Sequence, residues 1–475
     1  MNFEAIVGLE IHVELKTKTK MFSRAPIDFS AEPNTLVTTG DLALPGTLPL
    51  VNKEAVVYGI RLANALNMDI AKTLLFDRKN YFYSDLPKGY QITQDRLPIG
   101  SDGYLDLKIN ENIHRIRVER AHLEEDTAKQ LHIGEDTLID YNRAGIPLIE
   151  IVSYPDLRSG EEAALYLETI RQIVTFTEIS DGKMEEGSLR CDVNVSLRPY
   201  GTEQFGTKVE IKNLNSISNV EKAINLEIKR QEKILLSGGQ VRPETRRYDD
   251  ALKDTVAMRL KDETVDYRYF PETNIPPIKL SDEFVNEVIN NSPELASEKA
   301  DRYSRELNLS AYDIEMILLN KDNANYFEEA AKLTSFYKTL ANWVIVEIPT
   351  YLNKEQIEIK GFPIEPKRIA ELVNLIENGD MSNKQARQVF NLMLESKDSP
   401  KDLAKAHNLL QISDKETIVA TIREVLSENE QAIEDYKNGK DRAFGFLVGK
   451  IMGKSRGLFN PALTSKYLKE EIDKY

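Results

Sequence analysis

The chain has 475 residues, 41% hydrophobic and 29% charged, with a formal net charge of −15; it is too long for one hydrophobic core and has the composition of an ordinary globular protein of two or three domains. Cys191 is the only cysteine, which excludes an intrachain disulfide and a Cys-based zinc cluster. No basic stretch followed by an apolar core opens the sequence and no apolar run approaches the roughly 20 residues that span a bilayer, so a cytoplasmic protein without a membrane partner is expected.

In chain order, the first predicted element is a strand. Val7, Leu9, Ile11, Val13 and Leu15 alternate with Gly8, Glu10, His12 and Glu14, which sends the acids and the imidazole to one face. Helical spacing predicts helices over 52–67, over 160–177 with Ser159 as cap, and over 219–236. Between the last two, Leu189–Pro199 and Thr207–Asn213 alternate again. Leu189, Cys191, Val193, Val195 and Leu197 oppose Arg190, Asp192, Asn194, Ser196 and Arg198, while Val209 and Ile211 oppose Lys208, Glu210 and Lys212. A sheet with one solvated face gives the same pattern; the recurrence of ligand-type side chains favours a polar reaction floor.

After about Pro293 the alternation fades. Amphipathic helices are predicted over 311–319, 324–334, 336–347, 366–378, 383–395, 414–437 and 442–452. The fold class is α+β: an N-terminal domain on an antiparallel sheet with helices, over residues 1–293, followed by an all-α extension. The net charge hides a local reversal, because between Lys437 and Lys469 eight basic residues meet one acid, Asp441. Such density supplies the phosphate attraction of a nucleic-acid binder, and it reads equally as a solvated helix face balanced by the acidic run at 424–435.

Chemistry-bearing motifs concentrate in the first domain. Glu10, His12 and Glu14 form one carboxylate–imidazole row. His122-Leu123-Glu124-Glu125-Asp126 is a second acidic cluster, with a solvated loop as its plain alternative. Glu150 stands inside the apolar run LIEIV, where a carboxylate is costly to bury without a compensating cation. Many carboxylates with interspersed Arg and Lys suit phosphoryl transfer, in which acids hold Mg²⁺ and cations offset phosphate charge. A Walker-type phosphate loop is absent; Gly449–Ser455 falls one residue short and lies in a predicted helix. Neither G-x-S-x-G nor H-E-x-x-H occurs, which removes support for serine hydrolases and zincins.

GLEIHVEL, TKTKMFS, YFYSDLPKGYQITQ, HLEED, DYNRAGIPLIEIVSYPDLRS, SDGKMEEGSLRCDVNVSLRP, FGTKVEIKNLNS and DYRYFPE together resemble the B-subunit family of bacterial glutamyl/aspartyl-tRNA amidotransferases. The resemblance implies a glutamine-synthetase-like cradle at 1–293, a helical domain at 294–405 and a YqeY-like tail at 406–475. It implies ATP and Mg²⁺ as cofactors, an amidase A subunit and a small C subunit as partners, and misacylated tRNA(Gln) or tRNA(Asn) as substrate. On that basis His12, Glu125 and Glu150 are the expected metal ligands, with Glu10, Asp192 and Glu210 for a second site. Arg190, Lys208 and Lys212 are expected to hold phosphate or the aminoacyl group, with Asn194 beside the nucleotide. Lys88 and Gly89 are placed near the substrate, and Tyr81, Tyr83 and Tyr90 either along an ammonia route or in a packed aromatic cluster. A non-catalytic tRNA scaffold and a ligase for a free small carboxylate are the rival readings.

Overall fold

The computed structural model describes residues 3–109, 112–260, 266–412, 414–455 and 457–474. Its contacts divide the chain into two compact units, Met1–Ala296 and Ser297–Tyr475.

The first unit is built on a nine-stranded sheet. Its strands are β1 (Phe3–Glu14), β2 (Asp69–Ile70), β3 (Gly100–Ile109), β4 (Asn112–Glu125), β5 (Pro147–Ser153), β6 (Leu189–Pro199), β7 (Val209–Lys212), β8 (Glu244–Asp249) and β9 (Asp254–Leu260). They lie in the order β9-β8-β7-β6-β1-β5-β4-β3-β2, antiparallel throughout except for the parallel pair β7–β8. Alternation decides the faces. Val7, Leu9, Ile11 and Val13 of β1 and Cys191, Val193 and Val195 of β6 are buried in one continuous core, and the intervening residues point the other way.

Helices α1 (Lys53–Ala65), α2 (Gly160–Phe176) and α3 (Ile217–Leu236) contribute their apolar stripes to that core. Each starts at a side-chain cap: Asn52 accepts from the Glu54 and Ala55 amides, Ser159 from Glu162 and Ser216 from Asn219, satisfying amides that have no partner within the helix. α2 approaches α3 closely at its first residue, where a Cβ on Gly160 would lie 2.5 Å from the Glu221 carbonyl oxygen. α4 (Asp282–Asn290) packs on α1. A small separate sheet, Phe270–Pro271 against Asp77–Asn80 against Tyr90–Thr93, packs on β4 through its last strand. The Arg78–Glu272 fork (2.6 and 2.9 Å) fastens it.

The second unit is helical: α5 (Ala296–Leu307), α6 (Ala311–Leu318), α7 (Lys321–Ala331), α8 (Tyr337–Asn342), α9 (Ile348–Glu355), α10 (Pro366–Glu377), α11 (Asn383–Glu395), α12 (Pro400–Ala406), α13 (Lys415–Glu428), α14 (Glu430–Lys437), α15 (Asp441–Lys454) and α16 (Pro461–Ile472). Two expected helices are corrected. The span 336–347 runs through α8 into a π-turn at Trp343–Glu347. The span 414–437 breaks at Asn429, whose backbone leaves the helical region while its side-chain amide donates to the Val425 carbonyl (2.8 Å). Helices α13–α16 close their own core around Ile418, Ile422, Leu426, Leu447, Ile451 and Leu468. Among the described residues, no helix is long and apolar enough to cross a membrane.

Candidate active site on the polar sheet face

Strand register brings the key side chains into one row. His12 of β1 stands opposite Glu150 of β5 on one side and Arg190 of β6 on the other, and Glu150 stands opposite His122 of β4. One step along β4, on the same face, is Glu124. His12 Nε2 lies 3.4 Å from Glu150 and 3.8 Å from Glu124; His122 Nε2 lies 3.2 Å and 3.7 Å from the same carboxylates. Burial opposes charge on His12, His122 and Glu150, yet the pairs outweigh it. Glu150 sits well below the usual carboxylate range because both imidazoles hydrogen-bond to it. Against the pull of burial, His12 is raised by Glu150 and Glu124, and His122 is pushed up to about 9 by the same two carboxylates.

His12, Glu124 and Glu150 each offer a ligand atom, all within 4.8 Å of one another. Two carboxylate oxygens and one imidazole nitrogen suit a small divalent cation and leave positions for phosphate oxygens and water. Arg120 Nε lies 3.4 Å from His122 Nδ1.

Glu125, expected beside His12 and Glu150, stands outside this group of three. β4 pairs Glu125 with Pro147 and Glu124 with Leu148, so the two acids leave opposite faces. Glu125 receives Lys88 Nζ (2.6 Å) and the Ile92 amide (3.0 Å) instead. Lys88 is therefore held by a carboxylate in a small cavity shared with Asp41, Asp85, Asp126 and Gly145. Gly89 follows with φ +73°, a left-handed turn that glycine adopts without strain.

The second expected ligand set lies further along the sheet face. Asp192 pairs with Lys212, and Lys212 lies 3.5 Å from Glu210. Thr245 donates to Glu210 (2.9 Å), and Asn194 donates to Glu10 (2.8 Å). Although burial pulls Lys212 down, Asp192, Glu210 and Glu10 raise it. Among the described residues, Asn194 Oδ1 is buried without a hydrogen-bond partner. Next to it opens a cleft of about 270 Å³ lined by Gly8, Glu10, Asn194, Phe205, Gly206 and Lys208, with Lys208 exposed at its rim. Arg190 reaches Asp126 (2.9 Å), and Arg143 pairs with Glu14 beside them. Burial, opposed by Arg143 and reinforced by Asp126, pushes Glu14 up to about 7.

Two residues of the row, Glu124 and His122, are additions to the expected set. Parity holds the signal for both: Ala121 and Leu123 are core residues, so His122 and Glu124 share the other face. The tyrosines divide. Tyr81 and Tyr83 join Tyr267 and Tyr269 in a ring-to-ring series at 5.9–6.1 Å, while Tyr90 lies under the Arg78 guanidinium (4.2 Å). In the tail, Lys440 pairs with Asp435 and Lys454 bridges Glu424 and Glu428. Lys437, Arg442, Lys450, Lys466 and Lys469 remain exposed, and Arg456 lies outside the described residues.

The family model described as GatB/GatE catalytic domain matches residues 5–286, and the one described as GatB domain matches residues 325–472. Over 474 residues the chain is 50% identical to the B subunit of the aspartyl/glutamyl-tRNA(Asn/Gln) amidotransferase of Bacillus mycoides (strain KBAB4), with 100% of both chains covered. The same identity and coverage hold for the B subunits of the corresponding amidotransferases from Bacillus cereus (strain B4264) and Bacillus thuringiensis (strain Al Hakam).

Proposed function

The chain belongs to the GatB family of tRNA-dependent amidotransferase subunits, and from that membership and the sheet-face geometry we propose that it activates a carboxylate borne on tRNA and passes it to ammonia. The substrates are Glu-tRNA(Gln), Asp-tRNA(Asn) or both. ATP is the phosphoryl donor. An amidase A subunit releases the ammonia from glutamine, a small C subunit completes the complex, and the reaction runs in the cytoplasm.

The chemistry requires activation. A carboxylate has no leaving group for ammonia to displace. Attack of a carboxylate oxygen on the γ-phosphorus of ATP releases ADP and gives an acyl phosphate. Ammonia then bonds to the carbonyl carbon, the C–O bond to phosphate breaks with its electron pair, and the nitrogen loses a proton. His12, Glu124 and Glu150 would hold a divalent cation, with Glu10, Asp192 and Glu210 as donors for a second. Such a cation, when bound, screens the phosphate charge from the substrate carboxylate. Arg190, Lys208 and Lys212 supply fixed positive charge to the same ground, and Lys88, followed by the turn at Gly89, lines the small cavity beside Glu125. The cleft beside Asn194 and Lys208 suits the nucleotide, with Phe205 as an apolar wall.

The observation that carries the reading is the compensated group His12–Glu124–Glu150. Two carboxylates and an imidazole that offer ligand atoms within 4.8 Å of one another on one sheet face are a donor set that suits a small divalent cation beside phosphate. Replacing Glu124 or Glu150 by Ala is expected to abolish ADP production driven by misacylated tRNA while the complex still assembles. Persistent ADP production in both variants would refute the assignment. Activity of the isolated chain on free glutamate and ammonia would favour the small-carboxylate ligase instead.

A further inference from the structure

Beside the proposed reaction site stands an aromatic wall that the phosphorylation chemistry does not use. Tyr83, Tyr81, Tyr267 and Tyr269 follow one another edge to face, with centroids 5.9, 5.9 and 6.1 Å apart. They come from two distant segments that the backbone locks together. The Asn80 amide donates to the Tyr267 carbonyl (2.9 Å), and the Asn80 side chain donates to the Arg268 carbonyl (2.8 Å). The wall is thus fixed in place before any ligand arrives.

Its ends are open. Tyr83 is 60% exposed and Tyr269 42%, and Phe82 between the first two tyrosines is 93% exposed. A packed cluster that served only stability would bury these rings. Lys79 lies with its ammonium 4.7 Å above the Tyr267 ring and 5.8 Å above Tyr81. Among the described residues no carboxylate pairs with it, whereas its neighbour Arg78 is neutralised by Glu272.

The wall borders the His12–Glu124–Glu150 row: Tyr81 follows the strand that ends at Asn80, and Thr93 of the paired strand places its Oγ1 3.5 Å from Glu124 Oε2. Burial and then the charges of Glu124, Asp85 and Glu125 raise the Tyr81 hydroxyl. Burial and then Asp95, offset by Arg120 and reinforced by Glu150, raise that of Tyr269.

We propose that this wall is a stacking platform for the unpaired nucleotide at the 3′ end of the aminoacyl-tRNA, with Lys79 on its phosphate. The inference rests on the function proposed above and adds a subsite to it. Tyrosine faces with an interleaved cation are what unpaired bases stack on, whatever their identity. The form of the wall selects between the two nucleotides at hand. A free nucleotide needs a concave pocket, and the cleft beside Lys208 is one. The tyrosine wall is open, which suits a strand end held along the rest of its length. The esterified amino acid hangs from that terminal ribose, so a base docked here leaves the side-chain carboxylate next to Glu124 and Glu150.

The test uses the assembled complex and misacylated tRNA carrying 2-aminopurine at its 3′-terminal position. Binding to the wild-type complex is expected to quench the fluorescence. Tyr83→Leu and Tyr269→Leu together should abolish most of that quenching and raise the KM for tRNA about ten-fold, with the KM for ATP unchanged, since the stacked base is lost and the nucleotide cleft is not touched. Tyr83→Phe with Tyr269→Phe, which keep the rings, should restore both. Unchanged quenching in the leucine variant overturns the proposal, as does a rise in the KM for ATP, which would make the wall a nucleotide site. Loss of co-purifying subunits would identify it as a subunit contact and overturn it as well. Quenching in a complex that produces no ADP would refute the phosphorylation reading while leaving the platform standing.

Discussion

Glu124 and Glu125 are adjacent and differ in what their carboxylates meet. Glu124 faces two imidazoles, and Glu125 faces an ammonium and a backbone amide. Neutralising each in turn therefore separates ligand from neighbour. Glu124→Gln is expected to weaken Mn²⁺ binding by more than the roughly 10–100-fold typical of an outer-shell change, and Glu125→Gln to leave it within a few-fold. Mn²⁺ titration followed by electron paramagnetic resonance measures both; the reverse order would return Glu125 to the ligand set. Parity along Ala121-His122-Leu123-Glu124 already contained this distinction. An irregularity in the β4–β5 pairing, where Val152 faces Arg120 and Ser153 faces Val118, shifts the phase just upstream. Parity carried in from Ile116 and Val118, upstream of that irregularity, would instead place Glu125 in the row.

At the scale of elements, alternation and capping were legible wherever one signal dominated. Leu189–Pro199 forms a strand with the expected bounds, as Asn383–Glu395 forms a helix with its expected bounds. Breaks inside helical patterns were not legible, because the helical apolar spacing runs on past Asn429, from Val425 and Leu426 to Ala432 and Ile433, and masks a residue suited to capping. The four tail helices are joined by few ion pairs, and one of them makes a pH prediction. Arg423 of α13 and Lys474 hold the Glu471 carboxylate of α16 down to about 2, against an ordinary value of 4.5. A depressed carboxylate contributes stability that is present above about pH 4.5 and is lost as the pH falls toward 2. Arg423 is 61% exposed, so solvent screening limits the pair to about 1 kcal/mol. Glu471→Gln should lower the opening free energy of α13–α16 amides by that amount at pH 7 and by progressively less toward pH 3, read by hydrogen exchange. An equal loss at both pH values would show that the pair acts through packing instead of charge.

Across the whole molecule, charge is divided between regions that net charge averages away. A chain of −15 repels nucleic acid overall, yet α15, α16 and the end of α14 carry Lys437, Arg442, Lys450, Lys466 and Lys469 exposed. Phe446 adds an exposed ring 5.5 Å beneath Lys450. Lys440 and Lys454 are already engaged by acids of the same module, so the effective basic surface is smaller than the sequence count suggests. Pairing of this kind depends on how helices return in space, which a linear tally of charge does not contain. Because α13–α16 have their own core, they can be removed without opening the sheet domain. Deletion of residues 412–475 from the assembled complex should raise the KM for misacylated tRNA about ten-fold near physiological salt. Counterion release makes phosphate contacts weaken steeply with ionic strength, so the difference between full-length and truncated complexes should shrink as salt is raised. The KM for ATP should stay unchanged at every salt concentration, because the cleft proposed for the nucleotide draws all its residues from the sheet domain. A truncated complex with unaltered tRNA affinity at low salt would move tRNA recognition entirely onto the sheet domain and its tyrosine wall.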